Sequence, residues 1–338
     1  MVGIYVGATD SKAEIFVEEC MNVTHSIMAK NEEVVYILKG DIFKDIPENE
    51  GIKCIILDTE DTMSEMVKII MENDISALIV DSSAISADDI ASLSVYAKII
   101  AFDEDKLPQN LFCIVNSNPF VGWNDYILNY CNGDTRLFLG GDFAPVSSAF
   151  AGIQPKNVEK DDLVEDILVY TGRYDRYGVG YTLLSKMASM PEFDGYRIHT
   201  IIGAGYNSSE SFYELQKKTN GKIIVHSKDD NIAEIISSCD IAVSAGGLQL
   251  MELAACGIPS VIYSTIEEQS ELVRQMIVKE YAVGVGDIWV SIELKVENII
   301  ENIFKLISDG KKRKSLSDSI KTLTDGKGTE RITNAIIG

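Results

Sequence analysis

Residues 240–263 read Asp240-Ile241-Ala242-Val243-Ser244-Ala245-Gly246-Gly247-Leu248-Gln249-Leu250-Met251-Glu252-Leu253-Ala254-Ala255-Cys256-Gly257-Ile258-Pro259-Ser260-Val261-Ile262-Tyr263. The order is strand, glycine turn, helix, glycine stop, strand. Residues 240–244 form a short, mostly apolar run, and Gly246-Gly247 let the backbone turn sharply. Leu248, Met251 and residues 253–255 then supply an inward stripe. Gly257 closes the helix and Pro259 prevents its continuation. A helix that opens on a glycine pair offers backbone N–H groups and the positive end of its dipole to an anion, a phosphate above all. Glu252, in the first turn and a half, is placed to accept ribose hydroxyls. The same carboxylate also simply favours a helix N-terminus.

Working outward, the chain of 338 residues suits two domains. Hydrophobic residues make up 46% and charged residues 24%, the proportions of a soluble globular protein. No apolar run reaches the length of a membrane span, and the N-terminus lacks a charged region followed by an apolar one, so a cytoplasmic protein is expected. The net charge of −22 argues against nucleic acid and against an anionic membrane surface. Residues 1–160 hold 11 Lys+Arg against 26 Asp+Glu, and the remainder 19 against 26. A phosphate site therefore belongs more naturally to the second half. The cluster Lys311-Lys312-Arg313-Lys314 reads as a solvated helix face. Six cysteines show no C-x-x-C spacing, and only His25, His199 and His226 are available beside them. No structural metal and no cofactor are expected. Reduced thiols fit a cytosolic chain.

Short apolar runs at 2–6, 34–38, 54–57, 77–80 and 98–102 alternate with helical periodicity at 11–28, 62–72 and 86–96, the signature of parallel βαβ units. Residues 108–141 are less regular, with strand candidates at 112–115 and 136–139. Glycine, proline and polar residues at 152–162 suggest a linker. The alternation restarts with strands at 166–171, 196–202, 222–225, 241–243 and 260–263. Helices are expected at 178–190, 209–218, 231–238, 267–279, 293–308, 311–322 and 330–337. The expectation is an α/β protein of two Rossmann-like domains, 1–155 and 156–338, with ligands at the carboxyl ends of the strands.

The motif Ala245-Gly246-Gly247-x4-Glu252-x4-Gly257-x-Pro259 resembles the C-terminal nucleotide-sugar signature of the GT-B glycosyltransferases related to the enzyme that makes lipid II. The resemblance is nearer to the UDP-sugar hydrolases of pseudaminic acid synthesis, grouped with the spore-coat polysaccharide SpsG proteins. It extends over most of the chain. Asp10-Ser11 falls where that family has an early Asp-Ser. Asp81 with Ile85-Ser86-x-Asp88-Asp89 resembles its Asp-x-Tyr-x-Ile-x-x-Asp-Asp run. Phe102-Asp103 and Ile114-Val115-Asn116 resemble its Asp-Asp and Asn segments. Thr171-Gly172-x-x-Asp175 resembles the Gly-Gly-Ser-Asp turn opening the second domain, and Gln269 sits where relatives carry Asn-Gln.

The resemblance implies a GT-B arrangement of the two domains and a UDP-sugar as ligand. The N-terminal domain would take the acceptor or sugar, and the C-terminal domain the nucleotide. Gly246, Gly247 and Leu248 would cradle the diphosphate, Glu252 would meet the ribose, and Gly172, Arg173 and Asp175 would line the opposite wall with Gln269 nearby. Arg173 and Arg176 suggest a bidentate phosphate clamp beside Tyr174. Surface arginines balancing an acidic chain are the plain alternative.

The departures concern the N-terminal half. Set on Asp10-Ser11, the family's opening Gly-x-Gly-His-x-x-Arg falls on Phe16, Glu18, Glu19 and Asn22. The Tyr after the family's Asp becomes Ser83. The later Tyr-Ala-x-x-Arg becomes Phe143-Ala144-Pro145-Val146-Ser147. Three readings follow. A UDP-sugar hydrolase would use Glu19 as general base, assisted by Asp10 or Asp81, because a partly desolvated carboxylate can be tuned towards neutral pH. A metal-independent glycosyltransferase would replace water with an acceptor hydroxyl. A catalytically silent protein would bind a nucleotide sugar or a partner protein. His25 lies six residues beyond the family's His position and reads as an exposed histidine near a helix end.

Overall fold

The computed structural model describes residues 1–7, 11–57, 62–81, 85–102, 111–130, 133–154, 163–172, 175–203, 209–227 and 230–338. The chain divides into two units, Met1–Ser148 with Gly326–Gly338, and Ala149–Asp325.

The first unit runs β1 (Val2–Val6), α1 (Ser11–Met28), β2 (Val34–Lys39), α2 (Asp45–Glu48), β3 (Lys53–Leu57) and α3 (Thr62–Glu72). It continues with β4 (Ala77–Asp81), α4 (Ala87–Leu93), β5 (Lys98–Phe102), β6 (Cys113–Asn116), α5 (Trp123–Tyr130) and β7 (Arg136–Leu139). Its seven strands form one sheet in the order β3-β2-β1-β4-β5-β6-β7, and every pairing is parallel. Parallel strands are covered on both faces, so they read as unbroken apolar runs. Ile4, Val35, Leu78 and Ile100 accordingly lie out of solvent on the two faces of one sheet.

The second unit runs β8 (Asp166–Tyr170), α6 (Val179–Ser189), β9 (Arg197–Ile201), α7 (Ser209–Lys218), β10 (Ile223–His226) and α8 (Ile232–Ser238). It continues with β11 (Ile241–Ala245), α9 (Leu248–Cys256), β12 (Ser260–Ser264), α10 (Glu267–Val278), β13 (Val283–Asp287), α11 (Ile292–Ser308) and α12 (Gly310–Ile320). The sheet order is β10-β9-β8-β11-β12-β13, again parallel throughout. Counted within the unit this is 3-2-1-4-5-6, the doubly wound order. The direction of winding reverses between β8 and β11, which leaves a crevice at their carboxyl ends. On α11, Val296, Ile299, Ile300, Ile303 and Leu306 recur at helical spacing. They enter the core that also holds Val169, Val243 and Tyr263.

The last helix, α13 (Gly328–Ile337), packs in the first unit. This differs from the expected boundary, which placed all of 156–338 together. Ile332 and Ile336 join the core formed by β1 and α1. Thr329 Oγ1 donates to the Val146 carbonyl at 2.5 Å, and Arg331 Nη1 donates to the Asp142 carbonyl at 2.7 Å. A Cβ on Gly328 would meet the Ala144 carbonyl oxygen at 2.1 Å, so only glycine permits this approach.

Besides the single turn of α2, two elements, α5 and β13, are not apparent in the sequence pattern. Helix α5 is built of Trp-Asn-Asp-Tyr-Ile-Leu-Asn-Tyr, mostly weak helix formers. Strand β13 contains two glycines, which strand propensity disfavours. Gly284 is there because a Cβ would come within 2.5 Å of the Ile262 carbonyl oxygen, beside a break in register with β12. No helix among the described residues is long and apolar enough to cross a membrane.

Candidate functional site

Strand β11 is buried along its whole length and ends at Ala245, where Gly246-Gly247 turn the chain into α9. The turn is crowded. A Cβ on Gly246 would lie 2.6 Å from Val273 Cγ2 on α10, and one on Gly247 would lie 2.6 Å from Gln249 Oε1. Across the switch point, β8 ends at Tyr170 and leads to Gly172, whose φ of +87° favours glycine. A Cβ there would lie 2.7 Å from Gln249 Nε2. The carboxamide of Gln249 is therefore wedged between the two glycine loops. Gln249 is a site residue that motif reading misses. The available signal is its place, a polar residue in the first helical turn two positions after the glycine pair.

Helix α9 has no side-chain cap at its N-terminus. Helices α10 and α11 also lack one, whereas three others of the unit have a capping side chain. Asn231 caps α8 and Asp309 caps α12. Asp175 does the same for α6, its Oδ2 accepting from the Gly180 N–H at 2.9 Å and the Tyr181 N–H at 3.3 Å. Burial pushes the Asp175 carboxyl up, and these backbone donors oppose that rise. The structure thus gives the expected wall residue Asp175 the work of a helix cap. Arg173 and Tyr174 lie outside the described residues, and Arg176 is exposed. At the carboxyl end of β12, Gln269 Oε1 accepts from the Thr265 N–H at 2.9 Å and its hydroxyl at 3.0 Å. The Gln269 amide nitrogen faces Gly247, 3.4 Å from where a Cβ would sit. Asp287 Oδ1, at the end of β13, holds the hydroxyls of Ser264 at 2.6 Å and Ser270 at 2.8 Å.

Glu252 faces β8. Only 8% of it is exposed, and the Tyr170 hydroxyl donates to its carboxyl. Its Oε2 is buried and has no hydrogen-bond partner among the described residues. Burial pushes the carboxyl up to about 7, against the lowering effect of Tyr170. The structure therefore brings Gly172, Gly246, Gly247, Leu248, Glu252 and Gln269 to the β8/β11 switch point and adjoining strand ends. It adds Tyr170, Gln249 and Thr265 to them.

No family model matches the chain. It is 24% identical to the spore coat polysaccharide biosynthesis protein SpsG of Bacillus subtilis over 250 residues, 70% of this chain and 68% of that protein. Among solved structures it superposes on MurG of Acinetobacter baumannii with a TM-score of 0.65 and 10% identity, covering 99% of each chain. The glycosyltransferase SsfS6 of Streptomyces sp. SF2575, solved with thymidine diphosphate, matches with a TM-score of 0.57 and 11% identity over 98% of this chain and 99% of that one. The fold is that of the two-domain GT-B glycosyltransferases.

Within that fold the first unit carries the expected catalytic carboxylates. Asp81 ends β4 and is buried, and Glu19 lies on α1, half-buried. Burial pushes the Cys20 thiol well up, and Glu19 and Asp81 both add to the rise. Both carboxylates therefore lie within electrostatic reach of one buried side chain. Asp10 lies outside the described residues, as do Ser83 and Asp103. Ser86 and Asp89, part of the resembling run, form the start of α4. The Asp89 N–H donates to Ser86 Oγ at 3.1 Å, and Ser86 Oγ donates back to Asp89 Oδ2 at 2.6 Å. Asn116 organises the turn after β6, accepting from the Asn118 N–H at 3.0 Å. His25 pairs with Glu50 at 2.5 Å on the surface. The cluster at 311–314 is less uniform than a solvated face. Arg313 is buried and donates to the Leu306 and Ile307 carbonyls, closing α11, whereas Lys312 and Lys314 pair with Glu280 and Asp318.

Proposed function

We propose that the chain is a nucleotide-sugar enzyme of surface-polysaccharide synthesis, acting on a UDP-sugar with release of UDP. The observation that supports this most is the N-terminus of α9. It lacks a side-chain cap and stands behind two glycine turns at the switch point of a doubly wound sheet. Backbone N–H groups at such a place bind a diphosphate, and the helix dipole stabilises it as a leaving group. Asp175 occupies the corresponding position at α6, and of the uncapped helices α9 is the one that opens on a glycine pair at the switch point. Glu252, on the same helix, accepts ribose hydroxyls, and Gln269 borders the glycine pair. The SpsG relative is named for spore coat polysaccharide biosynthesis, and the fold is shared with glycosyltransferases.

The reaction is substitution at the anomeric carbon, breaking its bond to the diphosphate oxygen. With water as nucleophile the chain is a UDP-sugar hydrolase, and Glu19 or Asp81 takes the proton. A glycosyltransferase reading is favoured by the solved neighbours, several of which are glycosyltransferases. The two separate in one assay. UDP appearing from UDP-sugars without acceptor, and lost in Glu19→Gln or Asp81→Asn, supports the hydrolase. UDP appearing only with an added glycan acceptor supports transfer. No UDP under either condition, with binding intact, leaves a nucleotide-sugar binder.

A further inference from the structure

We propose that a nucleotide entering the second unit expels a proton from Glu252, so that binding at this site is coupled to pH. The inference rests on the nucleotide reading above and goes beyond it.

The geometry of the carboxyl carries the argument. Glu252 is buried between α9 and the end of β8, one oxygen is served by the Tyr170 hydroxyl, and Oε2 is buried with no partner among the described residues. An ionised carboxylate needs donors on both oxygens when water is excluded. With only one donor, the group holds a proton instead. Among the described residues its surroundings supply no cation. Tyr170 faces it from β8 and Cys256 from the next turn of α9, and no charged side chain among the described residues contributes to its titration. Burial accordingly pushes the carboxyl up to about 7.

A ribose hydroxyl supplies the missing donor. Gln249 lies three residues before Glu252, so the two share a helix face. Its carboxamide fills the notch where Cβ atoms on Gly172 and Gly247 would sit. The flexible end of Gln249 is the group that a ligand moves aside to reach Glu252. Once a hydroxyl donates to Oε2, the carboxylate is held by two donors, the carboxyl falls back towards its ordinary range, and the proton leaves to solvent.

The test is isothermal titration of the full chain with UDP-glucose, whose diesterified diphosphate does not titrate near neutrality. Titrations in two buffers of different ionisation enthalpy give the number of protons released. Release is expected to be close to one at about pH 6 and to vanish by about pH 8.5, while affinity rises about tenfold between pH 6 and pH 8. In Glu252→Gln the release is expected to be absent at every pH. Binding of UDP-glucose with no proton release at about pH 6 overturns the coupling and leaves the nucleotide site standing. Release that persists unchanged in Glu252→Gln overturns it as well. Absence of binding by UDP-glucose and UDP alike removes the nucleotide reading itself, and this inference with it.

Discussion

Glu252, buried, and His226, half-buried, are titratable groups whose environments act on stability in opposite senses. The folded chain holds the Glu252 proton up to about 7, whereas the unfolded chain releases it near the ordinary carboxyl value of 4.5. The folded state therefore binds more protons between those values, and stability falls as pH rises through that window. From this group alone the loss is about 3 kcal/mol. Urea denaturation at about pH 5 and about pH 8 should show that loss in the wild type and a flatter profile in Glu252→Gln. An unchanged profile would contradict the burial of the carboxyl. His226 behaves conversely. Asp166 Oδ1 is hydrogen-bonded to His199 Nε2 at 3.0 Å, and His199 Nδ1 is in turn hydrogen-bonded to His226 Nε2 at 2.9 Å. Burial, followed by His199, pushes His226 below its ordinary value, with Asp230 opposing. A group lowered in this way supports the fold above about pH 6.5 and loses that support as pH falls through its folded value. The chain should weaken on acidification below about pH 6, and His226→Gln should remove part of that slope in thermal melts.

At the scale of elements, the two glycine loops and α9 work as one joint. Gly172 has positive φ and sits against Gln249, so Gly172→Ala strains the backbone and drives the Gln249 carboxamide from its notch. The expected cost is about 1 kcal/mol of stability and at least a tenfold loss of UDP affinity. Retained affinity would mean that this loop takes no part in the site. The turn itself was legible in the sequence, because a glycine pair between an apolar run and a helical stretch marks a strand-to-helix joint. Gln249 was not legible, since its role comes from a loop some 75 residues earlier in the chain. Asp175 shows the converse limit. A carboxylate beside a glycine turn looks the same in sequence whether it meets a ligand or caps its own helix, and only the α6 hydrogen bonds decide.

For the whole molecule, parallel strands covered on both faces leave continuous apolar runs, so the two doubly wound units could be read from the chain. The return of α13 to the first unit could not. The sequence pattern suggests a helix at 330–337, but its partner is set by the Gly328–Ala144 approach and by the bonds to Val146 and Asp142. Deleting 326–338 should therefore lower protection from hydrogen exchange in β1 and α1 while leaving β11, α9 and β12 as they were. Equal loss in both units would contradict the division. Asp81 of the first unit and the glycine loops of the second are each placed by their own sheet, at the strand ends where doubly wound folds hold ligands.

The central claim is a nucleotide diphosphate on α9, and isothermal titration of the full chain with UDP tests it most directly. The expected result is saturable binding at one site per chain, weakened at least tenfold by Glu252→Ala and by Gly172→Ala. No heat with UDP, or binding indifferent to both substitutions, would show that the glycine joint only packs a helix on a sheet.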